Sequence, residues 1–468
     1  MSPRHSDPRR SAQPAANSNL RLRAERELYD LSATILRLAR AQGAPETEVH
    51  IDESIEALTR FANNAIHQHV AEHGMVVSIR TTLDGRTARV TTNRIDEDSL
   101  GAALRDALSL ASRQPKDPRL LPVPGKQSYR AVRRFHSATA ALSAEERART
   151  VKRACQLAEG RGQVAAGIFS SGQGQSVLVN SRGLSASYRQ THATFSVTMQ
   201  AGSAASWAKQ NSADFRRLDP AALAETASNK ATRAQNPVAL EPGRYTVILE
   251  PAAVLDLVGF LFYDFAATAV ADQRSCLSGR VGKSVFGKNI TITDDVYHPD
   301  QLGAPFDGEG LPRQRVVLVD QGVVKNLVYS RRSAEQAHKK PTGHGFVLPN
   351  EYGEAPLNMV VAGGKTSVDQ MIASTERGLL VTRLWYIREV DPYEKIMTGM
   401  TRDGLFLVEK GKIARAARNF RFNQSVLEML RNVKCLGAAE RAAGEEASEM
   451  VVPPMKIRDF HFTEVTKF

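Results

Sequence analysis

The sequence predicts an α+β fold, with a mixed α/β N-terminal half followed by a β-rich C-terminal half. Three observations carry that reading. Up to about residue 240, stretches with apolar residues every three or four positions alternate with stretches of two-residue alternation. Beyond that point helical periodicity is confined to a stretch near 252–270 and another from Val368 to Thr375, and short strand-like runs with Gly and Asp turns fill the rest. Asn236-Pro237 and Glu241-Pro242-Gly243 punctuate the change of regime.

Taken in order, residues 1–23 read as a basic tail rich in Arg, Ser, Pro and Ala; they lack the apolar core of a secretory signal. From Ala24 to Gln42, Leu28, Leu31, Ile35 and Leu38 share one face and Gly43 supplies a stop, which predicts an amphipathic helix. Strands are expected at Glu48–Ile51, Phe61–Val70, Met75–Thr82 and Thr87–Thr92, the last two joined by an Asp84-Gly85-Arg86 turn. Ser99–Ser112 returns to helical spacing, and Pro115, Pro118, Pro122 and Pro124 mark a linker. Ser143 followed by Glu146 forms a capping box that opens a helix to Glu159. Val164–Trp207 reads as strands with turns at Gly172-Gln173-Gly174 and at Asn180-Ser181-Arg182-Gly183. A helix capped by Asp219, with Pro220 at its first position, runs to Arg233, and a strand from Tyr245 to Leu249 opens the C-terminal half. The expected domains are 24–125, 126–240 and 241–468.

Composition narrows the function classes. A chain of 468 residues that is 42% hydrophobic supports two or three cored domains. No run approaches the roughly 20 apolar residues of a membrane span. Cys155, Cys276 and Cys435 are far apart and form no paired motif, as expected in a reducing cytoplasm. The net charge of +12 is spread thinly, with short clusters only at Arg130–Arg134, Arg313–Arg315 and Lys339-Lys340, and no nucleic-acid-binding signature accompanies it. A solvated basic surface is the plainer reading.

The motifs that could carry chemistry are each met by a structural explanation. His69-Val70-Ala71-Glu72-His73 fits the His-x-x-Glu-His zinc pattern, which needs a helix to stack both imidazoles. The β-branched neighbours Ile66, Val70, Val76, Val77 and Ile79 predict a strand, where four residues span roughly 13 Å. Cys435 has no local base and would need His461 or His344 from afar. Gly279-Arg280-Val281-Gly282-Lys283-Ser284 ends like a phosphate loop but has too few residues between its glycines. Asp294-Asp295 and Asp307-x-Glu309 are carboxylate pairs in turn-forming sequence, where capping is the simpler role. No catalytic, metal or cofactor-binding residue is assigned from these patterns.

The order of several segments carries a resemblance. Glu250–Phe262 is followed by Ser278–Lys283, Ile290–Asp295, Phe306–Pro312, Val316–Val319 and Gly322–Lys325. Further along come Thr342–Gly345, Asn358–Gly364, Gly399–Gly404, Phe406–Ile413 and Pro453–Ile457. In the N-terminal half, Leu58–Phe61, Asn64-x-Ile66, Asp84–Arg86 and Thr92-Asn93 add to it. Together they resemble the TldD/TldE (PmbA) family of zinc-dependent proteases. The resemblance implies a TldD/PmbA-type C-terminal domain and a helix that, in TldD-like chains, carries His-Glu-x-x-x-His with a later cysteine ligand. The corresponding positions here fall near Leu257, Val258 and Phe262, with the cysteine near Ala442. The resemblance is thus closest to the TldE/PmbA-like branch. It implies a non-catalytic subunit that binds no cofactor itself and pairs, as a cytoplasmic heterodimer, with a zinc-bearing TldD-like subunit acting on unfolded or extended peptides. A regulatory protein acting on DNA gyrase or nucleic acid is the alternative from the family's older description. A peptidase with relocated ligands would draw on His67, His69, His73 or His344. The Arg383–Arg388 segment has no counterpart role in the family.

Overall fold

A computed structural model describes residues 20–466, so the basic-tail reading of 1–23 lies almost wholly outside the described residues. The N-terminal part comprises α1 (Glu25–Ala41), β1 (Glu46–Ala62), β2 (Ala65–Leu83), β3 (Arg86–Thr92), α2 (Glu97–Arg113), the short α3 (Ser137–Ala140), α4 (Ala144–Gly160), β4 (Val164–Asn180), β5 (Ser185–Ala201), β6 (Ala204–Ser212) and α5 (Pro220–Arg233). Its strands form one antiparallel sheet in the order β3-β2-β1-β4-β5-β6. The central pairing, β1 with β4, runs from Glu48↔Asn180 to Phe61↔Gly167 and joins segments on either side of the proline-rich stretch.

Each end of this sheet carries a helix pair. Leu28, Ser32, Ile35 and Ala39 form the buried stripe of α1, spaced as the helical period requires. Together with Leu100 and Leu104 of α2 they cover Val49, Ile51, Val77, Ile79, Val177 and Val179. At the other end α4 and α5 present Val151, Ala154, Ala224 and Ala227 to Phe61, Phe169, Phe195, Val197 and Met199. The caps match the sequence reading: Ser143 and Glu146 close the capping box of α4, and Asp219 accepts from the Ala222 amide ahead of Pro220.

The C-terminal part contains β7 (Gly243–Leu249), α6 (Pro251–Val258), α7 (Ala267–Ala271), β8 (Ile292–Asp294), β9 (Val316–Asp320), β10 (Val323–Val324), α8 (Arg331–Gln336), β11 (Met359–Val361), α9 (Val368–Ala373), β12 (Arg377–Asp391), β13 (Ile396–Glu409), β14 (Lys412–Ala416), β15 (Phe420–Ser425), α10 (Val426–Arg431), β16 (Val433–Leu436), β17 (Glu440–Ala442), β18 (Met450–Val452) and β19 (Met455–Val465). One sheet has the order β10-β9-β8-β11-β18-β17; another runs β12-β7-β19-β15-β13-β14. Because β12 also pairs with β13, the path through β12, β7, β19, β15 and β13 closes on itself. Phe420, Phe460 and Phe462 stack beside that ring, with Phe420 and Phe462 centroids 4.9 Å apart. The α+β class and the β-rich C-terminal part are as the sequence predicts.

The two parts are fastened by buried charges and aromatic rings. Glu48 pairs with Arg80 at 3.0 Å, and also with Arg89, whose guanidinium reaches the Leu348 carbonyl. Leu178, Leu184 and Tyr188 pack on Phe306. The Arg383–Arg388 segment supplies another joint: Arg383 lies 4.8 Å from the Trp207 ring and 5.6 Å from Trp385, and Arg402 covers Trp385 from 4.8 Å.

Four local expectations are corrected. β1 is one strand from Glu46 to Ala62, and the expected strand Phe61–Val70 instead spans a turn at Asn63-Asn64. Both asparagines adopt left-handed φ (51° and 59°), the geometry a tight hairpin needs, so the turn forms without glycine. β4 passes straight through Gly172-Gln173-Gly174, which is no turn. A Cβ on Gly172 would sit 2.3 Å from the Glu56 carboxylate and 2.4 Å from the His192 ring, so that glycine serves a close approach. The helix expected over 252–270 is broken: α6 ends at Val258 and a 3-10 segment, Gly259–Phe265, precedes α7. The C-terminal half also holds a long hairpin, β12–β13, among its short strands.

Candidate functional site around α6

Pro251 at the first position preorganises the start of α6, and Glu250 before it pairs with Lys230 of α5 at 2.7 Å. Every residue from Ala253 to Val258 is buried, so α6 is a core helix apolar on all sides. Asp256 is the exception in chemistry. Its side chain is fully enclosed, its Oδ1 accepts the Glu446 amide at 3.1 Å, and its Oδ2 has no partner among the described residues. Burial pushes its pKa up to about 7, with backbone amides of 445–447 partly opposing the shift and the Glu446 charge adding to it. Glu446 in turn accepts the Tyr386 amide at 2.6 Å and lies 3.6 Å from Arg388. Asp256 therefore ties the 444–447 backbone to α6, and that loop holds the bulge of β12.

At the C-terminal end of α6, Phe260, Phe262, Leu357, Met359, Ala447 and Met450 surround an apolar cavity of about 200 Å³. Gly259 permits this closeness, since a Cβ there would lie 2.4 Å from the Ala447 methyl. Leu257 and Val258 are fully buried in the main core and Ala442 is nearly so, while Phe262 stands 42% exposed at the cavity rim. None of these four side chains has a nitrogen, oxygen or thiolate donor. Zinc needs about four such ligands, so these residues do not fit the metal that the fold family implies at this helix.

The other sequence candidates lie apart from α6. His69 and His73 are on β2, as expected of a strand; His69 Nδ1 meets Thr59 Oγ1 at 2.9 Å, and His73 Nε2 meets Glu53 Oε1 at 2.8 Å. Among the described residues no group of three or more His, Cys, Asp or Glu side chains is arranged to hold a metal. Cys435 packs at the margin of the Ile248, Met371 and Phe406 cluster; it pairs with Lys456 on β19, five positions before His461. Gly279–Ser284 is a run of turns with no helix following it.

Asp295 caps a turn through the Tyr297 amide and Asp307 caps its own loop, while Asp294, Asp307 and Glu309 are deeply buried. Asp307 accepts the amides of Glu309, Leu311 and Gly345, and Glu309 accepts the Arg331 amide at 2.9 Å. Burial, reinforced by Asp307, pushes the Glu309 pKa up to about 7. His344 and Asp294 form an enclosed pair at 2.8 Å, and Thr342 Oγ1 meets His344 Nδ1 at 2.9 Å. Burial alone would raise the Asp294 carboxyl; the His344 and Arg313 charges and the Asn358 amide outweigh it and hold the group below the usual range. With Thr342 also receiving the Tyr329 amide at 2.8 Å, this chain of hydrogen bonds is a structural brace.

Sequence reasoning missed Asp256 and Glu446. A lone Asp in an apolar helix was the available signal for the first; nothing local marks the second.

A long antiparallel sheet flanked by helix pairs, joined to a closed strand ring entered by an apolar helix, defines the class. The PmbA/TldA metallopeptidase C-terminal domain matches residues 242–464, and the central domain of the same family matches residues 132–235. The chain belongs to the PmbA/TldD metallopeptidase family. It is 25% identical to the uncharacterized protein MJ0231 of Methanocaldococcus jannaschii over 69% of this chain and 76% of that one. To the metalloprotease PmbA of Escherichia coli O157:H7 it is 24% identical over 62% of this chain, spanning 64% of that protein's length. The crystal structure of TldE from Thermococcus kodakarensis superposes with a TM-score of 0.84 over 92% of this chain and 100% of that one, at 21% identity. No helix of the described residues is long and apolar enough to cross a membrane.

Proposed function

We propose that this chain is the non-catalytic, TldE/PmbA-like subunit of a two-chain metalloprotease of the cytoplasm. It binds no zinc itself, pairs with a zinc-bearing TldD-like subunit, and with it hydrolyses unfolded or extended peptides. The observation that carries this reading is the chemistry of α6 and β17: Leu257, Val258, Phe262 and Ala442 stand where the resemblance puts two imidazoles, a general base and a thiolate. Replacing them by core packing and an apolar cavity leaves this helix a scaffold. A polar cleft of about 790 Å³ between the N-terminal sheet and α6, edged by Trp207, Lys209, Lys230, Glu250 and Arg441, supplies room for extended chain next to that scaffold.

Co-expression of the tagged chain with a His-Glu-x-x-x-His relative from the same genome tests the reading. The expected result is a co-purifying pair that carries zinc and degrades an unfolded peptide, with both properties lost when the partner's motif is altered. Stoichiometric zinc on the isolated chain, lost on His69→Ala together with peptidase activity, would overturn it. DNA binding that falls steeply with salt and is indifferent to the partner would instead favour the regulatory reading.

A further inference from the structure

Large apolar side chains gather on the surface at the C-terminal end of α6. Phe262, Tyr352, Leu357, Tyr386 and Val390 are 42%, 64%, 50%, 53% and 58% exposed. Short contacts join them into one face. The Phe262 and Tyr263 ring centroids are 6.3 Å apart, and Tyr263 meets Tyr352 edge-on at 6.1 Å. Phe262 and Leu357 share the lining of the apolar cavity with Glu446. Glu446 accepts the Tyr386 amide, and Arg388, two positions before Val390, lies 4.4 Å above the Tyr386 ring. Lys395 Nζ reaches Asp264 at 2.6 Å, which fastens the β12–β13 hairpin to the 3-10 segment that carries Phe262.

Three properties set this face apart from ordinary surface. Its five side chains leave roughly 500 Å² open to water, toward the upper end for the largest apolar patch of a monomer. Tyr386 has a left-handed φ of 55°, in the bulge where the pairing of β12 with β13 slips between Trp385 and Arg388. That region is disfavoured for a bulky side chain, and here it holds an aromatic ring toward solvent. The charges beside the patch are already neutralised. Arg388 lies 3.6 Å from Glu446, Arg280 lies 3.1 Å from Glu394, and Lys395 lies 2.6 Å from both Asp264 and Glu389. Covering the face therefore strands no lone charge.

We propose that this face is the interface between two copies of the chain related by a twofold axis. Such an interface must be its own complement. Here one face offers both a projecting ring, Tyr386, and an apolar socket of about 200 Å³. Met359 and Met450 in the socket wall are unbranched and adapt to an entering group. The flanking ion pairs present both signs, so a second copy sets acid opposite base. The area agrees as well: two such faces bury roughly 1,000 Å² of apolar surface, close to the apolar share of a standard interface of about 1,600 Å². A single peptide side chain would fill the socket and leave most of the patch wet. The inference concerns this chain alone and stands or falls separately from the subunit reading.

Sedimentation equilibrium of the purified full chain over a hundredfold range of concentration tests it. The expected result is a species of twice the mass of one chain. Asparagine adopts left-handed φ readily, so Tyr386→Asn keeps the melting temperature of the wild type while the dimer dissociation constant rises roughly tenfold or more. Leu357→Asp weakens the dimer likewise and is the second variant. Leu110→Asp, at an exposed position on α2 away from this face, leaves it unchanged. A chain that stays monomeric throughout overturns the proposal, as does a dimer indifferent to both folded variants. Loss of pairing with a co-expressed His-Glu-x-x-x-His relative in these variants, with no self-association of the wild type, gives the face to that subunit and equally overturns it.

Discussion

Replacing Asp256 with asparagine isolates a single buried charge. The carboxyl titrates near pH 7 in the folded chain against an ordinary value of 3.8, so the folded state holds a proton that the unfolded state releases between about pH 4 and 7. The sign follows: this group weakens the fold as pH rises through that window, and its effect is constant above it. The displacement of about three units corresponds to about 4 kcal/mol at most. Asparagine keeps the carbonyl that accepts the Glu446 amide, and it leaves two amide hydrogens where the protonated acid leaves one hydroxyl. The packing penalty is therefore nearly pH-independent, and only the ionisation term changes. Melting temperatures of wild type and Asp256→Asn, measured at pH 5 and pH 8, are expected to differ in favour of the variant by several degrees more at pH 8 than at pH 5. An offset that is the same at both pH values would refute a buried, titrating Asp256, whatever its size.

Asp294→Ala leaves His344 enclosed without its partner and should destabilise the chain by about 3–5 kcal/mol, with the Asp294→Ala/His344→Ala double variant losing less than the sum, as read by thermal denaturation. Gly167→Ala and Gly172→Ala should differ in cost. The first drives a Cβ to 2.1 Å of the Ser196 carbonyl and loses about 1–3 kcal/mol, whereas the second meets only the movable ends of Glu56 and His192 and loses less. Trp207→Ala removes a buried ring and its contact with Arg383; a loss of about 3–5 kcal/mol is expected, and none would show that the Arg383 stack does not fasten the two parts.

Local signals in this sequence were read well where the physics is local. Ser143 with Glu146, Asp219 with Pro220, and the stripe of α1 each specify their element within a turn or two. The strand character of His69 and His73 was legible from β-branched neighbours, and it removed the best zinc motif. Errors arose where a residue answers to something distant. Gly172 looks like a turn because its reason, Glu56 and His192, lies on two other strands. Asn63-Asn64 makes a hairpin turn inside the expected strand Phe61–Val70, with the Asn64 side chain bonded to Gln163 and Ala165 a hundred positions on. Asp256 could be noticed in α6, yet its partner at Glu446 is 190 positions away.

The pairing of β1 with β4 has a consequence for how the chain is made. On a ribosome β1 is complete by Ala62, while β4 begins only at Val164, so the long free edge of β1 waits for about a hundred residues of further synthesis. At usual elongation rates that is roughly 5–20 seconds, during which a nascent β1–β2–β3 hairpin pair exposes unpaired backbone able to capture strands of other chains. The basic and acidic side chains scattered along β1 and β2, among them Arg60, Glu56 and Glu72, are the kind that discourage such capture. Messages truncated before residue 164 should therefore yield more aggregating product than those extending past α5 at Arg233, which complete the sheet through β6.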